Sequence, residues 1–235
     1  MRIYTIGLLV LTVAMTGCGS TKTIQDIDYS ERDEFIPQLS FSKSVSEFVS
    51  VEIEGLQTKG ERSIFLAGPI DAGLFPARDA QRLDLGRIDF IGPTTLRSDY
   101  NLQVASLGAG FKTVDTSEVT IRLDAGLGIN KMAINFADVD TGIRTKYTNT
   151  NYGLSTKINI ITHFGDKLDL NSYFGIASYS SSHRYFQTGM NLSYPLNDTI
   201  DLYAGWFILK NNDESQKTEI TVESTGVIYG IKLNL

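Results

Sequence analysis

Charged side chains recur at one phase of an otherwise apolar alternation: Glu52, Glu54, Arg122, Asp124, Lys157, Asp169, Asp201 and Lys232 each stand beside large or small apolar neighbours. Acids and bases brought into one narrow enclosure either pair with one another or pass a proton or ion along the row. His163 and His183 are the two histidines. A hydrolase would need a nucleophile beside one of them and a third group to orient it. Ser180, Ser181 and Ser182 run into His183 and supply the types, but neighbours along a polar connection rarely converge, and a plain hairpin tip reads as well. No Cys or His cluster suggests a metal site, and no cofactor is expected. Gly108 and Gly110 have the spacing of strand glycines, not of a phosphate-binding loop. The single cysteine, Cys18, excludes an intrachain disulfide.

Strands must position these residues, because the repeat is two. Val119, Ile121, Leu123, Ala125, Leu127 and Ile129 alternate with Thr120, Arg122, Asp124, Gly126, Gly128 and Asn130, the pattern of a strand with one apolar face and one polar or crowded face. So many glycines would weaken an open sandwich strand. They suit a strand whose apolar face meets lipid while the other lines a crowded lumen. The alternation returns at 101–113, 151–164, 168–176, 186–194 and 200–208, and closes the chain in Val227, Tyr229, Ile231, Leu233 and Leu235. Val45, Val49, Val51 and Ile53 begin it, opposite Ser46, Ser50, Glu52 and Glu54. Tight turns are read at 114–118, 165–167 and 197–199, and longer polar connections at 131–146 and 210–219. Tyr147, Tyr152, Phe186 and Trp206 at one level, with Phe111, Phe164 and Tyr194 at the other, would form two aromatic girdles.

The chain has 235 residues, net charge −6, 11 tyrosines and 12 phenylalanines, a size for one all-β domain with extra segments. Basic clustering of the kind that marks nucleic-acid partners is missing. Met1 and Arg2 precede an apolar run from Ile3 to Met15 that is too short for a spanning helix and has the layout of a secretory signal. Met15-Thr16-Gly17-Cys18 resembles the lipobox of bacterial lipoproteins, which implies acyl chains on Cys18 as the new N-terminus. Residues 1–17 read as signal peptide, 18–44 as a polar lipidated tether, and 45–235 as the barrel.

With strands near ten residues and tight turns on one side only, 45–235 resembles the small outer-membrane β-barrel family of the OmpA transmembrane-domain and OmpX type. That resemblance implies an all-β, closed, antiparallel up-and-down transmembrane barrel of eight strands, with both termini on the tight-turn side. Ten strands result if 61–70 and 82–92 also pair. It implies location in the cell outer membrane, contact with outer-membrane lipid, and assembly through the terminal Tyr229, Ile231, Leu233 and Leu235. A lumen only wide enough for side chains would fit a structural or surface-interaction role without turnover. The rival readings are a soluble periplasmic β lipoprotein that carries an apolar ligand, and an outer-membrane lipid-modifying enzyme.

Overall fold

The computed structural model describes residues 25–68, 82–84, 88–165, 167–180, 183–214 and 218–235, and every regular element among them is a β-strand. In chain order these are β1 (Gln25–Ser44), β2 (Val49–Leu66), β3 (Arg82–Asp84), β4 (Asp89–Ile91), β5 (Thr94–Asp115), β6 (Val119–Asp138), β7 (Arg144–Phe164), β8 (Leu168–Ser180), β9 (His183–Pro195), β10 (Ile200–Glu214) and β11 (Thr218–Asn234). Nine of them close into a barrel in the order β1-β11-β10-β9-β8-β7-β6-β5-β2, and β3 pairs only with β4. The signal segment and Cys18 lie outside the described residues.

The barrel therefore departs from the antiparallel eight-stranded reading, and from ten. Its additional strand is β1, in the stretch read as a tether. A register shift between Arg32 and Glu34 breaks the two-residue period there, so Glu31-Arg32-Asp33-Glu34 looked like polar linker rather than strand. Residues 61–66 continue β2, and 82–84 and 89–91 form a small separate hairpin. Because strands of an up-and-down barrel alternate in direction, an odd number obliges one pair to run parallel. That pair is β1 with β11, from Gln25 opposite Thr218 to Ser42 opposite Asn234. The parallel seam places Gln25 and Leu235 at opposite ends of the barrel, not together.

The nine barrel strands are also longer than ten residues, from 13 in β8 and β9 to 22 in β5, because their polarity inverts partway along. On β6 the outward residues run Val119 to Ile129 and then change to Lys131, Ala133 and Asn135. The inward residues run Arg122, Asp124, Gly126, Gly128 and Asn130 and then change to Met132, Ile134 and Phe136. Leu127 is 63% exposed, whereas Ile134 and Phe136 are at most 1% exposed. On β10, outward Ile200 to Ile208 gives way to Lys210 and Asn212, and inward Asp201 and Tyr203 to Phe207 and Leu209. The wall thus has two storeys. The lower one, toward the tight turns, is polar inside and apolar outside; the upper one is apolar inside and polar outside. The alternation changes phase at the boundary, which made the tops of β6, β7, β10 and β11 look like polar loops in the sequence.

Ile36, Leu66, Leu96, Leu102, Met132, Ile134, Phe136, Leu209, Ile220 and Val222 fill the upper storey, and Leu83 and Phe90 of the β3–β4 hairpin pack into the same core. The tight-turn end carries local caps. Asn197 Oδ1 accepts the N–H groups of Thr199 and Ile200, each at 2.9 Å, and Gly165 takes φ +67°, which suits a residue without Cβ. At the other end Asp138 accepts the N–H groups of Asp140 (2.8 Å) and Thr141 (3.0 Å) and the Thr94 hydroxyl (2.9 Å). Those bonds hold its carboxyl below the ordinary carboxylate range.

Candidate functional site

All eight charged residues singled out in the sequence face inward in the lower storey, and all of them line a cavity of about 160 Å³. Antiparallel register brings them together: Glu54 lies opposite Ser40 and Ser106, Asp124 opposite Lys157 and Gly110, and Lys232 opposite Asp201. Arg122 anchors the largest group. Its Nε is 2.8 Å from Asp124 Oδ1, and its Nη1 donates to Glu52 Oε1 at 3.0 Å. Glu52 also accepts the hydroxyls of Ser42 (2.8 Å) and Ser50 (2.7 Å), and Asp124 accepts Asn159 Nδ2 at 2.7 Å. Gly110 makes this possible: a Cβ there would lie 2.8 Å from both Asp124 Oδ1 and Ser50 Oγ, and 3.1 Å from Arg122 Cδ.

Glu54 pairs with Lys157 and also accepts Gln38 Nε2. The Lys157 ammonium lies 5.9 Å from the Tyr173 ring centroid, in reach of a cation–π attraction. Asp169 sits 2.7 Å from His163 Nδ1, and the Thr120 hydroxyl links His163 Nε2 (3.0 Å) to Asp115 (2.7 Å) at the turn. There the Thr120 hydroxyl, with Lys112 beside it, lowers the Asp115 pKa. Asp201 accepts Asn234 Nδ2 at 2.9 Å. Among the described residues Lys232 alone of the eight has neither an ion pair within 4 Å nor a hydrogen bond.

Seven of the eight charges are tied to one another or to polar neighbours, which fills space, fixes the register and leaves little room for a proton relay through the barrel. Above them stands the dry core of Leu102, Met132, Ile134, Leu209 and Val222, each at most 1% exposed. A row of apolar side chains offers an ion no partner and so closes the polar chamber from above.

Sequence reasoning did not find a second cluster, at the upper end. β7 pairs with β8 only from Leu154 downward, so residues 144–153 rise past the short β8–β9 hairpin without a ladder on that edge. Side chains span the gap. The Tyr147 hydroxyl donates to Asp213 Oδ2 at 2.8 Å, and Asn149 Nδ2 donates to the same oxygen at 2.9 Å and lies 2.7 Å from His183 Nε2. His183 also contacts Asp213, directly opposite it in the ladder. Tyr147 therefore faces inward and does not belong to the aromatic girdle with Tyr152, Phe186 and Trp206. Burial, and then the Asp213 charge, raise its pKa. The continued inward phase of Asn211 and Asp213 was the available signal, hidden in a run that looked like loop. Tyr147→Phe removes one of two neutral donors to a carboxylate that is 1% exposed. It should cost about 1.5–3 kcal/mol and make the top of β7 more open to protease, read by limited proteolysis beside thermal unfolding.

No family model, curated protein or solved structure matches this chain.

Proposed function

We propose that the chain is an integral barrel of the cell outer membrane, with the lower storey in lipid and the upper storey standing in water on the loop side. Its role is structural or surface-interacting, without turnover and without a solute path. The observation that carries this reading is the polarity inversion of β6. Outward apolar residues persist from 119 to 129, about 33 Å of strand and, at the usual tilt, about 25 Å of height, which is the thickness of the apolar band on such barrels. A soluble carrier of apolar ligands would keep a polar exterior and an open apolar interior along its whole height. Here the open cavity is lined by eight charged side chains, and the apolar interior above it is filled. β11, with Val227, Tyr229, Ile231 and Leu233 outward, supplies the terminal strand that the assembly machinery would read.

Alkaline extraction of membranes tests the proposal. The protein should stay in the pellet and, unheated in SDS, migrate differently from a boiled sample. Release into the supernatant, or release simply on removal of acyl chains, would show that the lower storey is not embedded.

A further inference from the structure

We infer that the loop-side rim of the lipid band is a docking ring for anionic lipid headgroups, held by Lys59, Lys131, Arg184 and Lys210. This rests on the membrane reading above and names the lipid that reading requires.

The ring follows from register and chemistry. Lys59 on β2, Lys131 on β6, Arg184 on β9 and Lys210 on β10 occupy outward positions within the first rows above the apolar band, and all four are exposed. Among the described residues no ion pair engages Lys59, Lys131 or Arg184, and Lys210 has only Glu223, at 3.7 Å. Among the described side chains the other outward acids of the barrel strands on this side, Glu61, Asp99, Glu214 and Glu219, stand higher, where Glu61 already pairs with Arg97 at 2.6 Å. Just below the ring are Tyr152, Phe186 and the single tryptophan, Trp206, the amphipathic rings that settle at a headgroup boundary.

The opposite rim lacks this bias. Lys43, Lys112 and Lys167 there are mixed with Glu47, Asp115, Glu118 and Asp198, and Lys112 is bound to Asp115 at 2.9 Å. A chain of net charge −6 thus gathers four cations at one level on one side, three of them without an ion pair among the described residues and Lys210 with only the 3.7 Å contact to Glu223. They are spread over nonadjacent strands around the wall, so they do not converge on one small solute. A leaflet of phosphate-bearing lipids meets all of them at once. Cations at that depth draw anionic headgroups with an attraction that salt screens.

The test reconstitutes the full chain into vesicles of phosphatidylcholine alone or mixed with phosphatidylglycerol, and follows urea unfolding. Wild type should unfold at higher urea in the anionic vesicles, with the difference shrinking at high salt and inorganic phosphate having no such effect. The variant K59Q/K131Q/R184Q/K210Q should lose most of the difference, whereas K43Q/K167Q on the other rim should keep it. Equal anionic stabilisation of the ring variant and wild type, or stabilisation of wild type that high salt leaves intact, overturns the ring alone. An effect reproduced by inorganic phosphate assigns the cations to a soluble anion and overturns the lipid. Failure to insert into either vesicle overturns the membrane reading and the ring with it.

Discussion

An epitope inserted immediately before Gln25 should be reached by antibody on intact cells, while the same epitope after Leu235 should be reached only once the outer membrane is opened. The parallel seam demands this difference. β1 enters beside Thr218, at the loop end, and leaves beside Asn234, at the tight-turn end. Leu235 N–H donates to Ser42 C=O at 2.8 Å, which ties the C-terminus to the turn side. With the tight turns facing the periplasm, as in the proposed orientation, the chain preceding Gln25 must emerge outside. Six residues lie between Cys18 and Gln25, a reach of at most about 25 Å, shorter than a bilayer with its headgroups. An acylated Cys18 would then anchor in the leaflet on the loop side. The effect is close to all-or-none in surface labelling. Shielding of both epitopes would mean that β1 does not close the barrel in parallel. Exposure of the C-terminal one alone would keep the seam and reverse the orientation.

The lower storey was legible in the sequence because its physics is uniform. From Val119 to Asn130 one face is apolar and the other is charged or glycine, so a period of two gave strand, facing and enclosed charges together. Legibility failed wherever two signals changed at once. At Asn130 the alternation persists but swaps faces, so Met132, Ile134 and Phe136 looked like the start of a connection rather than the inside of the same strand. At Asn211 and Asp213 the inward phase turns polar again beside outward Asn212 and Glu214, and the alternation disappears into an all-polar run. The bulge at Arg32/Glu34 had the same consequence for β1, and missing one strand made an odd barrel look even. Residue pairing across strands, such as Tyr147 with Asp213, depends on where β8 stops and has no local trace.

Leu123→Arg should destabilise the protein in a bilayer by about 2–4 kcal/mol, the cost of a cation on the outward face near mid-depth, whereas Asn135→Arg on the same strand and face should change stability by no more than about 0.5 kcal/mol. Both positions point outward on β6; only the storey differs. In a water-soluble barrel the two substitutions would be equivalent surface changes, since Leu123 is already 40% exposed to the surroundings. The inward face should show the opposite order. Phe136→Ala opens a cavity among Leu96, Ile134 and Leu209 and should cost about 3–5 kcal/mol, although alanine is harmless on the outside at that height. Trp206, outward in the lower band and 43% exposed, reports all three by fluorescence during urea unfolding in vesicles. Indistinguishable curves for Leu123→Arg and wild type would mean that the outward apolar band meets water, and the embedded reading would fail on that result alone. A large loss with Asn135→Arg would instead raise the lipid boundary above residue 131, and the upper storey would have to lie in the membrane too.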